Sequence, residues 1–189
     1  LDYNEAIKLT PKDPSKYINR ALHYEDHYYG LNLALIDYSK AIELDPKNVN
    51  NWYNRGNLYS SFLDMPQAAL KDFEQALKID QTYLRAINSS GLIYAKQGNI
   101  EQAIKQYEKG IDLENTNPES AAYCYKYRAL IYQNQGKTDE ALADFTRAIQ
   151  LSTNISYKIV LYEQRARLYN NLEQYENALK DYSNCIKID

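Results

Sequence analysis

The sequence predicts an all-α solenoid of antiparallel helix pairs, on three observations. One pattern of small and aromatic residues returns five times along the 189 residues, at intervals of 34 to 38. Within each return the apolar residues fall at helical spacing. Gly and Pro number only six and five, and helix formers dominate. Tyr24, Tyr59, Tyr94, Tyr132 and Tyr169 lie 35, 35, 38 and 37 residues apart. Ala34, Ala69, Ala103, Ala141 and Ala178 follow them by nine or ten residues, and Ala41, Ala76, Gly110, Ala148 and Cys185 come seven later. Tyr38, Phe73, Tyr107, Phe145 and Tyr182 sit between the two small positions. A period of roughly 20–50 residues marks units that bury their apolar sides against neighbours rather than in one globular core.

The elements follow in order. Leu1–Leu9 reads as the second helix of an incomplete unit, with Tyr3 and Ala6 in register. One array over 1–189 is expected, with units 1–13 (partial), 14–48, 49–83, 84–121, 122–158 and a nearly complete 159–189. Each full unit has a helix A bearing the repeated Tyr and a helix B bearing the two later small residues. In Ala69–Leu77 apolar residues fall at i, i+1, i+4, i+7 and i+8, one stripe of a helix. Small residues there let axes approach closely, so Ala141→Leu is expected to cost roughly 1–3 kcal/mol by overpacking. Gly98 and Gly136 stand where helix A must stop, as left-handed caps do. Asn99 with Gln102 reads as a capping box opening a helix B. Pro66, and Asn117-Pro118, fit first helical turns. Four extra residues precede the fourth unit and three the fifth, each about one turn. Helix A should therefore begin a turn early there, near Pro118 and Ile155–Tyr157.

These positions resemble the tetratricopeptide repeat, a helix–turn–helix unit of about 34 residues. The unit with Trp52, Gly56, Tyr59, Ala69, Phe73 and Ala76 carries the resemblance best, and it extends over nearly the whole chain. The chain departs from the family where Arg20, Arg55, Ser90, Arg128 and Arg165 replace its Leu before the small residue. Its unit-ending Pro survives as Pro46 and Pro11 only. The resemblance implies a right-handed α-solenoid that binds protein.

Composition bounds the function. The net charge is −3, a quarter of the residues are charged and mean hydropathy is −0.67, ordinary for a soluble protein. No apolar run approaches the ~18 residues of a membrane span. No basic stripe emerges, so no nucleic-acid partner is expected. Cys124 and Cys185 cannot build a disulfide framework; two free thiols favour a reducing compartment, and a cytoplasmic location is expected. The sequence opens inside a repeat and without Met, so it is expected to be a piece of a longer chain.

Arg20, Arg55, Arg128 and Arg165 fall on helix A, and Asp37, Asp72, Asp144 and Asp181 on helix B of the same units. The third unit has Ser90 and Gln106, losing both charges together. An Arg–Asp pair joining A to B is therefore expected in each of the other four. Both charges facing solvent is the alternative.

No enzyme chemistry is expected. His23 and His27 lie one turn apart, but Glu25 is misplaced for a zinc-protease motif and no third ligand is evident. His23 takes a slot filled elsewhere by Leu58, Ile93, Ile131 and Leu168, so it reads as structural. No phosphate-binding glycine loop occurs, and no catalytic residue, metal or cofactor is assigned.

In the resembled family helix A lines the concave face, so its exposed positions are the partner candidates. They are Asn19, Tyr53, Asn54, Asn57, Arg85, Asn88, Lys96, Tyr123, Lys126, Tyr127 and Arg167. An Asn amide can bind a peptide backbone as donor and acceptor, and Tyr gives contact area at low entropic cost. Some relatives clamp a carboxylate terminus of a chaperone; Asn54 and Arg85 match parts of that set, but Ile18, Leu22 and Ser89 do not. The expected partner is instead an acidic or neutral extended segment crossing Arg85 and Lys126. The expected function is a non-enzymatic scaffold that holds a protein segment in the groove. The alternatives are an assembly module that self-associates through unsealed repeat ends, no polar capping helix following Asp189, or a substrate-recruiting arm of a larger enzyme.

Overall fold

The computed structural model describes residues 2–27 and 30–188. The described residues form helices and turns, without strands. Leu1 and Asp189, which bound the expected first and last units, lie outside them. Contacts divide the chain into two compact units, Leu1–Ile93 and Tyr94–Asp189.

The first unit holds α1 (Tyr3–Leu9), α2 (Pro14–Asp26), α3 (Leu31–Leu44), α4 (Val49–Ser61), α5 (Pro66–Ile79) and most of α6 (Leu84–Lys96). Here α2 pairs with α3 and α4 with α5, while α3 packs on α4 and α1 on α2. Tyr38 is enclosed by Ala21, Ala34 and Leu58, and Phe73 by Ala69, Ala76, Ala86 and Ile93. Gly56 shows why the small positions are small. A Cβ there would stand 2.6 and 2.8 Å from the Phe73 ring.

The second unit holds α7 (Ile100–Ile111), α8 (Pro118–Asn134), α9 (Thr138–Leu151), α10 (Ile155–Asn171) and α11 (Tyr175–Ile188). Here α8 pairs with α9 and α10 with α11, and α7 and α9 pack on the helices that follow them. Ala129, Ala141, Phe145 and Leu168 form one core cluster, and Ala122, Ala148, Ile149 and Leu161 a second.

Helix starts differ by type. Asp13, Asn48, Asn117 and Asn154 precede helices of type A, and each side chain accepts a hydrogen bond from a first-turn N–H. The type-B helices α3, α5, α7 and α9 open without a side-chain cap. Before α5, α7, α9 and α11 the carbonyl oxygens of Tyr59, Tyr94, Tyr132 and Tyr169 accept from the backbone N–H that precedes the helix, at 2.8–2.9 Å. Gly98 and Gly136 take φ of 75° and 73°, as expected, and Asp64 and Glu173 adopt the same left-handed region at 50° and 60°. The capping box does not form. The Asn99 side chain accepts no first-turn N–H and its amide donates to Gln97, while the Asn99 N–H that Gln102 would accept from donates to the Tyr94 carbonyl at 2.9 Å.

Both longer A helices begin as expected, α8 at Pro118 and α10 at Ile155. The added turn of α8 carries Glu119, whose carboxylate accepts from the Ser152 and Thr153 hydroxyls at 2.8 and 2.9 Å. Burial alone would raise its pKa, but these bonds and backbone N–H donors hold it below the ordinary glutamate value.

All four Arg–Asp pairs are present, each with two N–H···O bonds of 2.6–2.9 Å. The aspartates are buried, at 2–6% exposure. Each Arg also reaches back to the preceding B helix. Arg20 donates to Asn4 (2.6 Å), Arg55 to Ser39 (3.1 Å) and Arg165 to Thr146 (2.7 Å), while Arg128 stands 3.8 Å from Glu108. Aromatic faces flank the guanidiniums: Trp52 beside Arg55, Tyr125 and Tyr132 beside Arg128, Tyr162 and Tyr169 beside Arg165.

One core expectation is corrected. Tyr182 takes the position of buried Tyr38, Phe73, Tyr107 and Phe145, yet is 38% exposed. No described residue packs over that side of α11 as a following A helix does elsewhere.

Candidate functional site

The candidate residues fall on A helices, and their surroundings are described unit by unit. In the first unit Asn19 on α2 and Arg85 on α6 are exposed, while Tyr53, Asn54, Asn57 and Asn88 are half-buried rather than open as expected. Tyr53 stacks on Phe73 at 5.7 Å and meets the Tyr83 ring edge-on at 5.6 Å. The Arg85 guanidinium lies 5.8 Å from the Tyr53 ring centre. Tyr83 in turn donates to Asn50 at 2.7 Å, which fixes that end of the wall. Asn57 accepts from the Ser61 hydroxyl at 3.3 Å. The side-chain amides of Asn19 and Asn54 make no hydrogen bond to described residues.

In the second unit Lys96 and Arg167 are exposed, and Tyr123, Lys126 and Tyr127 on α8 are half-buried. Tyr123 stacks on Tyr157 of α10 at 4.0 Å with an interplanar angle of 17°. Tyr127 stacks on Tyr107 of α7 at 5.7 Å and 15°. Between these pairs Lys126 places its amine 4.2 Å from the Tyr127 ring centre and 5.5 Å from that of Tyr157. Burial holds the Lys126 amine below its ordinary pKa, and raises the Tyr107 and Tyr157 phenols. The Tyr157 hydroxyl is buried without a hydrogen-bond partner among the described residues.

Sequence reasoning missed Tyr157 as a member of this group. Tyr107 is buried at its repeat position, and its ring also backs Tyr127. Tyr157 sits in the extra turn of α10, outside the repeat register, and that insertion was the available signal.

The nucleophiles and histidines have structural surroundings. His23 is half-buried, its ring 5.4 Å from Tyr3 and 4.4 Å from His27. Among the described residues no group of three or more His, Cys, Asp or Glu could hold a metal. No described helix is long and apolar enough to cross a membrane. Cys124 is fully buried, and desolvation pushes its thiol up to about 12; Cys185 is half-buried and also raised by burial. A thiol-specific disulfide reagent at neutral pH should therefore label Cys185 first. Cys124 should react only in denaturant, read by mass spectrometry of the labelled peptides. Equal labelling of both in the native chain contradicts this burial.

Comparisons with known proteins agree with this architecture. Models of the tetratricopeptide repeat match residues 122–154, and 49–83 with 159–189, and a model of the TPR repeat matches 31–61 and 91–124. No curated protein matches the chain by sequence. Among solved structures, BtubC from P. vanneervenii aligns with a TM-score of 0.76 at 16% identity, over 98% of this chain and 86% of its own. PilF of Pseudomonas aeruginosa gives 0.75 at 19%, over 93% and 76%. YrrB, described as a TPR protein with an unusual peptide-binding site, gives 0.63 at 24%, over 100% and 93%. At these identities the likeness is one of fold. The repeat models span most of the sequence, the helix pairs and small-residue contacts match their unit, and the chain belongs to the tetratricopeptide repeat family.

Proposed function

We propose that the chain is a non-enzymatic scaffold that holds an extended segment of another protein on the faces of its A helices. The observation that carries this reading is the wall around Tyr53. A half-buried aromatic there is fixed from behind by Phe73 and Tyr83, while the amide of Asn54, next in sequence, has no hydrogen-bond partner among the described residues. A rigid ring beside an unpaired amide can bind a peptide backbone with little ordering cost. The fold shared with YrrB supports the reading.

Peptides enriched on the chain from a random display library test it. Binding is expected to fall at least about tenfold in Tyr53→Ala with Asn54→Ala, the loss of one well-placed contact set. Lys71→Ala and Glu74→Ala, on the exposed side of α5, should leave it unchanged. Dependence on the α5 residues instead of α4 would remove the proposal.

A second reading rests on α11. Tyr175, Leu179, Tyr182 and Ile186 form an exposed apolar stripe, with Leu179 at 65% and Ile186 at 81%. Such a stripe suits self-association. Sedimentation across protein concentration separates the two: mass that rises with concentration, and stays at monomer in Leu179→Lys with Ile186→Lys, favours assembly.

A further inference from the structure

Lys126 differs from the four half-buried arginines of the repeat in one respect. Arg20, Arg55, Arg128 and Arg165 each hold a buried carboxylate of their own. Lys126 is desolvated yet has no carboxylate within ion-pair distance among the described residues, only the faces of Tyr127 and Tyr157. Tyr rings attract a cation through their negative faces, but a ring carries no net charge. An ammonium withdrawn from water and left without a counter-charge is costly, and an anion in contact with it gains more than it would in bulk water. The arrangement belongs to this part of the chain. Tyr157 comes from the extra turn of α10 and is braced by Tyr123, so the inserted residues build one of its walls.

We infer that the Tyr123–Lys126–Tyr127–Tyr157 cluster is a subsite for one carboxylate side chain, Asp or Glu, carried on the extended segment of a partner protein. This rests on the segment-binding reading above and names the chemistry of one position in that segment. A single ammonium matches a monoanion. A phosphate dianion calls for further donors, such as the forked guanidinium of Arg. The tyrosines exclude water from around the pair and offer apolar area to the methylenes of the incoming side chain.

Two display libraries provide the test, one with peptides fused through their C-termini and one with free C-terminal carboxylates. The fused library is expected to yield ligands with Asp or Glu at one fixed position. In the corresponding synthetic peptide, blocked at both ends, Glu→Gln should weaken binding roughly tenfold or more, the usual cost of losing a charge-assisted bond. Lys126→Met should erase that difference, Lys126→Arg should keep it, and Lys126→Glu should select Lys or Arg at the same position. Circular dichroism of each variant reports that the helices persist. Ligands without an acidic position, or a Glu preference that survives in Lys126→Met, overturn the subsite and leave segment binding standing. Acidic preference confined to the free-carboxylate library overturns it in favour of a chain terminus. No enriched ligand in either library overturns both readings.

Discussion

Replacing Asp144 alone with Leu is expected to destabilise the protein by roughly 3–5 kcal/mol, and replacing Arg128 and Asp144 together with Leu by much less. The Arg128 guanidinium donates to both carboxylate oxygens of Asp144, at 2.8 and 2.9 Å. Asp144 is buried and the Arg128 side chain is 17% exposed, so water cannot replace the lost partner. The single change leaves a cation among Tyr125 and Tyr132 with only Glu108, 3.8 Å away, to answer it. The double change removes both desolvation costs and fills the space with apolar atoms. Urea unfolding followed by circular dichroism, run on the wild type, both single variants and the double, gives the coupling directly. A single variant no worse than the double means that the pair's worth lies in packing rather than charge.

The second large effect is expected at Gly56. Gly56→Val should cost roughly 1–3 kcal/mol or more, because its Cβ would press 2.6 Å from a ring carbon of Phe73. Phe73 is fully buried and braced by Tyr53, so neither side chain has room to yield. Backbone entropy favours Val over Gly, but by less than the overlap costs. Gly56→Val in a Phe73→Leu background should recover part of the loss relative to Phe73→Leu alone. A fully stable Gly56→Val, with an unchanged unfolding midpoint, shows that α4 and α5 can separate freely.

Much of the architecture was legible because a repeat states its rules several times. The alternation of Tyr, small residue, aromatic and small residue located the buried Tyr38, Phe73, Tyr107 and Phe145 together. Arg and Asp vanishing jointly at Ser90 and Gln106 marked the pairs before any distance was known. What broke the pattern was harder to read. The Asn99 cap failed because its N–H is taken by the Tyr94 carbonyl across the glycine turn, a contact that residue identity does not reveal. Tyr182 kept the core residue type, while its burial depends on a neighbouring helix that its own unit does not supply. The candidate partner face was legible only as a set of helix A positions, and only through the family resemblance. Its chemistry was not, because the stacking of Tyr123 on Tyr157 joins residues from two helices, one of them outside the repeat register.

The arginine that reaches backward has a consequence for transplanting these modules. A unit lifted from one place to another carries its Asp with it, but not the oxygen that Asn4, Ser39 or Thr146 supplies from behind. Grafts should therefore succeed best when donor and recipient junctions both offer a hydroxyl, amide or carboxylate there. The segment bearing Ser90 in place of the arginine is exempt from that demand.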